Sequence, residues 1–154
     1  MQKLGVFLAT CGYVGYVPVA PGTAGSVVGL AFFYALRPWG PWAEIAAIVV
    51  TFAVGVWAGS AAERHWQRTD PGPVVIDEVL GMLITLCWLP VTALGALVGF
   101  LVFRVLDVVK PWPVARLEGL PGGLGVMADD AMAAVYGHLL MRVLIATTPL
   151  GWLT

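Results

Sequence analysis

Five of the nine acidic residues in this chain fall in three tight clusters, Asp77–Glu78, Asp107 and Asp129–Asp130, each set against a long apolar segment. A carboxylate near hydrocarbon is costly unless it is paired, hydrated or bound to a cation, so acids in such places are candidate functional groups. Basic residues accompany them. Arg104, Asp107 and Lys110 follow one another at intervals of three, which on a helix predicts one strip of alternating charge. Such a strip suits a phosphate group and a hard divalent cation, both of which are recognised through charge and oxygen chemistry.

The elements that must position these residues are membrane helices. Apolar residues make up 60% of the chain and charged residues only 11%, against about 25% charged in soluble domains. The expected fold is all-α, a small polytopic integral membrane protein whose 154 residues form one domain, 1–154. A net charge of −1 with no basic run argues against a nucleic-acid partner. Cys11 and Cys87 are isolated in apolar surroundings, without CxxC spacing, and read as reduced filler. The apolar run after Lys3 lacks a small-residue cleavage site and leads into a Pro-Gly motif, so it is expected to stay in the mature chain.

Leu4 to Leu36 carries no charge, but Pro18, Pro21 and several glycines interrupt it. The reading is an apolar segment to about Val17, a turn, and a helix from about Ala24 to Leu36 with Thr23 or Ser26 as N-cap. A turn at Arg37–Pro41 precedes a charge-free span from Ile45 to Ala62 and then a polar patch, Glu63–Arg68. Val79 to Phe103 is again charge-free. As one helix it would hold Asp77 and Asp107 about 45 Å apart, too far to share a site. Pro90 near its middle instead predicts a short-helix hairpin across Val79–Val109, with arms Val79–Leu89 and Thr92–Val109 and both acidic ends on one side. Arms this short must be shielded by neighbouring helices. A last helix is expected from Asp130 to about Thr148. In this arrangement Lys3, Arg64, Arg68, Arg104, Lys110 and Arg116 lie with the motifs and Arg37 is the only basic loop residue opposite, Arg142 falling within the last helix, so the positive-inside rule predicts motifs facing the cytoplasm.

Each cluster has a chemical reading. Gly22-Thr23-Ala24-Gly25-Ser26 opens an apolar helix whose free N–H groups, with the Thr23 and Ser26 hydroxyls, could receive phosphate, although plain helix capping uses the same residues. Asp77 and Glu78 start a helix, about 100° apart around its axis, so one could ligate a metal while the other orients a ligand. Asp107 between Arg104 and Lys110 suits metal and phosphate together, and the glycines of Gly122–Gly125 would deliver Asp129–Asp130 to the head of the last helix. There is no Cys-x5-Arg loop, and neither His65 nor His138 lies in a cluster, which disfavours cysteinyl-phosphate and phosphohistidine routes. Oxygen donors therefore point to magnesium. Asp77, Glu78, Asp107, Asp129 and Asp130 are the expected metal ligands and Asp77, Glu78, Asp107 and Asp130 the expected catalytic acids. Arg104 and Lys110 are the expected phosphate contacts, and Thr23, Gly25 and Ser26 become expected contacts only through the family resemblance that follows. Trp39, Trp42, Trp66, Trp112 and Trp152 fall near helix ends, as interfacial anchors do.

Four segments, Pro18–Ser26, Ile76-Asp-Glu-Val-Leu-Gly81, Phe103–Pro113 and Gly122–Asp130, resemble the bacterial phosphatidylglycerophosphatase A family in motif, order and interval, from roughly Cys11 to the C-terminus. The resemblance implies a magnesium-dependent inner-membrane phosphatase among membrane lipids, which hydrolyses phosphatidylglycerophosphate to phosphatidylglycerol and inorganic phosphate. Oligomeric state stays open. Two other classes compete: a phospholipid-headgroup phosphotransferase, and a small cation or phosphate transporter, which also uses acids and broken helices.

Overall fold

The computed structural model describes residues 1–148 and 151–154, and every regular element among them is helical. A short α1 (Gln2–Ala9) is followed by α2 (Pro21–Leu36), α3 (Pro41–Trp66), α4 (Ile76–Leu86), α5 (Ala93–Val109), a single turn α6 (Val114–Leu117) and α7 (Gly123–Thr147). Among the described residues, only α3 and α7, of 26 and 25 residues, are long and apolar enough to cross a membrane by themselves. Apolar side chains remain exposed on the outside of the bundle, among them Leu94, Leu97, Leu101, Val105 and Val108 along one stripe of α5. The chain is a small helical membrane protein.

The hairpin forms as the sequence predicts. Its first arm stops at Leu86 and its second starts after Thr92, whose hydroxyl accepts the N–H of Gly95 as an N-cap. Pro90 sits in the turn between them, where its missing N–H costs nothing. The exposed turn backbone is satisfied by the rest of the protein: the Trp88 N–H donates to Glu44 Oε2 at 2.8 Å and Arg37 Nη1 donates to the Val91 carbonyl at 2.8 Å. Irregular backbone survives at this depth only with such partners. The shielding required of a short arm is also present. Nine of the eleven residues of α4 are buried, because α2, α3, α5 and α7 surround it.

Lipid tails are as apolar as the helices, so association here depends on close packing and not on excluding water. Small residues provide it. Gly25 and Gly29 bring α2 against Val75, Val79 and Met82 of α4 and the residue before it, Gly59 lets α3 meet Gly123 of α7, and Gly81 seats the Phe103 ring between the hairpin arms.

Three local expectations are corrected. The helix expected from Ala24 starts at Pro21, since a proline is pre-set for the first helical position. Neither Thr23 nor Ser26 is therefore its N-cap, and the Ser26 hydroxyl instead donates to the Gly22 carbonyl at 2.9 Å inside the helix. The last helix starts at Gly123 and not Asp130, because Gly123 and Gly125 take helical backbone packed on α3 and on the Glu118–Leu120 carbonyls. Asp129 and Asp130 thus lie about two turns inside it.

A Gly81→Val substitution would drive a side chain into the Phe103 ring. We predict a loss of about 1–3 kcal/mol, the usual penalty of overpacking. Thermal unfolding in detergent measures it, and an unchanged midpoint would mean that the hairpin arms are not held by this contact.

Candidate active site

All three acid clusters open into one cavity of about 280 Å³ at the end of the bundle. Asp77 and Glu78 come from the first turn of α4, Arg104 and Asp107 from the end of α5, Lys110 from the residue that caps it, and Asp129 and Asp130 from α7. Ala20, Pro21 and Gly22 at the head of α2 form one wall, and Asp70, Gly72 and Val74 of the α3–α4 connection form another.

Two cations neutralise part of this acid. Arg104 Nη1 lies 2.8 Å from Asp107 Oδ2 and 3.5 Å from Glu78 Oε1, joining the two arms of the hairpin. Lys110 does not extend the charge strip expected along α5. It takes left-handed backbone (φ 45°), leaves the helix, and places its ammonium 2.6 Å from Asp129 Oδ2 and 3.3 Å from Glu118 Oε2. Burial pulls its pKa down, but the hydrogen bond and charge of Asp129 outweigh this and hold it above the ordinary lysine value. The second oxygen of Asp129 accepts the Asp130 N–H at 2.9 Å.

The remaining carboxylates are not satisfied. Donor atoms of Asp77, Glu78 and Asp130 lie within 4.8 Å of one another. Asp77 Oδ1, Glu78 Oε2 and Asp130 Oδ2 are each buried without a hydrogen-bond partner. Buried polar atoms are almost always paired, so an orphaned oxygen on each of three neighbouring acids is unusual. Asp107 lines the same cavity. Three cavity residues, Ala20, Asp70 and Lys110, hold positive φ without being glycine. Such conformations cost about 1 kcal/mol or more each and persist where the surroundings enforce them, commonly at functional sites.

The structure brings together Asp77, Glu78, Asp107, Asp129, Asp130, Arg104 and Lys110. It does not bring the expected hydroxyl contacts. Thr23 is exposed away from the cavity, Ser26 is fully buried with its hydroxyl already bonded, and Gly25 packs against Val75. The motif reaches the cavity through Gly22, where a Cβ would collide with Glu78 Oε1 and lie 3.0 Å from Arg104 Nη2. Asp70 was not foreseen. Its only signal was an acid in the Asp-Pro-Gly turn just ahead of the Asp77 motif, which reads equally well as a solvated loop. His65 and His138 stay outside the cavity, the latter facing the Thr85 carbonyl and Arg142.

The sequence profile described as "Phosphatidylglycerophosphatase A" matches residues 7–145. The chain belongs to the phosphatidylglycerophosphatase A family. It is 34% identical to the phosphatidylglycerophosphatase A of Escherichia coli, over 91% of this chain and 83% of that protein. It is 30% identical to the Haemophilus influenzae protein of the same name, over 82% and 80%. A relative from Bacteroides thetaiotaomicron named "Putative phosphatidylinositol-3-phosphatase" is 36% identical over 84% of this chain and 86% of its own length. No solved structure matches. Membership of the phosphatidylglycerophosphatase A family makes the chain a phosphoric monoester hydrolase, and the acid cavity is its candidate active site.

Within that site the Lys110–Asp129 pair carries a prediction. Lys110→Met leaves the buried Asp129 carboxylate uncompensated and should cost about 2–3 kcal/mol, whereas adding Asp129→Asn should restore part of it. Unfolding midpoints of the wild type, both single variants and the double variant give the coupling, and strictly additive losses would show that the pair does not act as a unit.

Proposed function

We propose that the chain hydrolyses phosphatidylglycerophosphate to phosphatidylglycerol and inorganic phosphate in a bacterial inner membrane, with magnesium as cofactor and the cavity facing the cytoplasm. One observation supports this most: three neighbouring acids, each with a buried, unpartnered carboxylate oxygen, line one cavity with Arg104 and Lys110 in a chain of the phosphatidylglycerophosphatase A family. The sidedness follows from charge. Arg64, Arg68, Arg104, Lys110 and Arg116 lie toward the cavity end, while Arg37 belongs to the turn before α3 at the far end.

The residues fit magnesium. The donor set is all oxygen, and adjoining carboxylates repel one another unless a cation or a proton lies between them. Asp77, Glu78 and Asp130 would hold the ion, and Asp107 lines the same cavity. When bound, it would polarise the phosphoryl oxygens and offset charge that otherwise repels a phosphate. The other tasks belong to the chain's own side chains. Arg104, braced by Glu78 and Asp107, retains guanidinium N–H groups for the phosphate oxygens. Gly22 keeps the wall beside it thin enough for the headgroup to approach. A cavity carboxylate accepts a hydrogen bond from the attacking water and turns it toward phosphorus, opposite the departing glycerol oxygen. Lys110 and Glu118 fix Asp129 and, through its backbone neighbour, the orientation of Asp130.

Phosphate release from phosphatidylglycerophosphate by purified protein tests the reading. We predict release that stops on chelation and returns with magnesium. Asp77→Asn, Asp107→Asn and Asp130→Asn should each lower kcat/KM by about a hundredfold or more, as loss of a charge-organising group does, with helicity unchanged. No release from folded protein in detergent or lipid would overturn the proposal. Faster release from phosphatidylinositol 3-phosphate would move the substrate to the class named for the Bacteroides relative.

A further inference from the structure

Asp129 and Asp130 reach the cavity from α7, so their height in the bundle depends on how the head of that helix is anchored. A helix start leaves its first N–H groups without partners inside the helix. Gly122 precedes α7 with a φ of 62°, and no side chain of that segment caps it. The cap comes from a neighbouring helix instead. The Gly123 N–H donates to Ser60 Oγ of α3 at 2.9 Å, and the same hydroxyl donates to the Val56 carbonyl at 2.8 Å. A serine hydroxyl carries one donor and can accept, and both capacities are used here.

The rest of the α3–α7 seam is smooth. Gly55 faces Met127, and Gly59 faces Gly123 and Val126. Small residues let two helices approach closely, but they offer little that resists sliding along the axis. Among the described residues, the Ser60–Gly123 bond is the one hydrogen bond between α3 and α7. Its surroundings are tight. A Cβ on Gly123 would collide with the Val56 carbonyl and lie 2.6 Å from the Ser60 backbone nitrogen, and one on Gly122 would lie 2.9 Å from Ser60 Oγ. Beyond the acids, Thr85 of α4 reaches the Ala134 carbonyl at 3.5 Å, a longer bond. Asp129 and Asp130 lie between these two anchors, about 9–11 Å along the helix from Gly123 at 1.5 Å per residue.

We propose that Ser60 is a positioning residue for the phosphatase site: its hydroxyl sets the height of α7 and thereby the place of Asp130 relative to Asp77 and Glu78 of α4. This rests on the phosphatase reading above and deepens it. Ser60 does not line the cavity, so it acts only through α7. The site demands such precision, because donor atoms of Asp77, Glu78 and Asp130 lie within 4.8 Å of one another. A misplacement of about 1 Å by a distant change can cost about a hundredfold in rate. Without the hydroxyl the Gly123 N–H is orphaned, and a small slide of α7 along the smooth seam is the way to another acceptor.

Three substitutions separate the hydroxyl from the bulk it occupies. Ser60→Ala removes it, Ser60→Cys keeps the size but accepts poorly, and Ser60→Thr keeps the hydroxyl. With phosphatidylglycerophosphate as substrate, Ser60→Ala and Ser60→Cys should lower kcat about tenfold or more with KM unchanged. Ser60→Thr should hold kcat near the wild-type value. Two readouts need no turnover: Mn²⁺ binding, followed by electron paramagnetic resonance of the purified chain in detergent, should weaken in Ser60→Ala and Ser60→Cys only, and amide exchange should quicken in the first turn of α7 in the same two. Wild-type kcat in folded Ser60→Ala, equal losses in Ser60→Ala and Ser60→Thr, or unchanged exchange at the head of α7 would each overturn the inference. Release that is indifferent to Ser60→Ala would leave the proposed function standing without it. No release from the wild type, with exchange and Mn²⁺ binding still dependent on the hydroxyl, would overturn the function and leave the hold of Ser60 on α7 in place.

Discussion

Like charges 4 Å apart repel by about 4 kcal/mol at the effective dielectric constant of roughly 20 that suits partly buried groups. Six carboxylates line a cavity of about 280 Å³, so those ionised together repel unless a cation or proton lies between them. The rest of the structure is organised around containing this repulsion. Arg104 ties Glu78 and Asp107 together across the hairpin, and Lys110 ties Asp129 to Glu118. After those pairings Asp77, Glu78 and Asp130 still present oxygens without partners. A purely structural core would not retain such groups, since apolar residues of similar volume would be more stable there.

Containing this charge requires a scaffold that does not yield, and the membrane denies the chain its usual means of building one. With no hydrophobic drive between helices, rigidity comes from backbone approach. Glycines at the α2–α4, α3–α7 and α4–α5 seams permit it, and α4 is enclosed so completely that a helix too short to span is still shielded. At the far end, Glu44 and Arg37 bond the turn of the hairpin, so the arms cannot slide relative to each other. Both hairpin ends are thus fixed: one by hydrogen bonds to irregular backbone, the other by the Arg104 ion pairs.

The outer faces near the two ends of the bundle carry exposed apolar and aromatic side chains. Val105, Val108 and Trp112 are exposed beside the polar groups of α5 and the loop after it, and Trp39, Trp42 and Trp88 are exposed near the opposite end. Exposed aromatics at two levels match the two interfaces of a bilayer. On the proposed function, this would set the acid cavity at headgroup depth, where the phosphate of a diacyl lipid resides.

Much of this was determined by the sequence itself. Composition and charge-free runs specify membrane helices, and Pro90 points to a hairpin, because a proline in mid-span is disfavoured and a straight span would separate Asp77 from Asp107. The acidic clusters are legible for the same reason: hydrocarbon makes unpaired carboxylates conspicuous. Tertiary structure decided what local pattern leaves ambiguous. Ser26 and Thr23 look like caps and phosphate ligands, but Pro21 starts the helix early and turns both away, leaving Gly22 at the site. Lys110 looks like the next step of an α5 charge strip, but its left-handed backbone sends it to Asp129 and Glu118. Asp70 looks like a loop acid and becomes a wall of the cavity. Helix periodicity and the cost of burying charge act along the chain and can be read from it. Which oxygen ends without a partner depends on contacts between segments many residues apart, and only the packed helices define those.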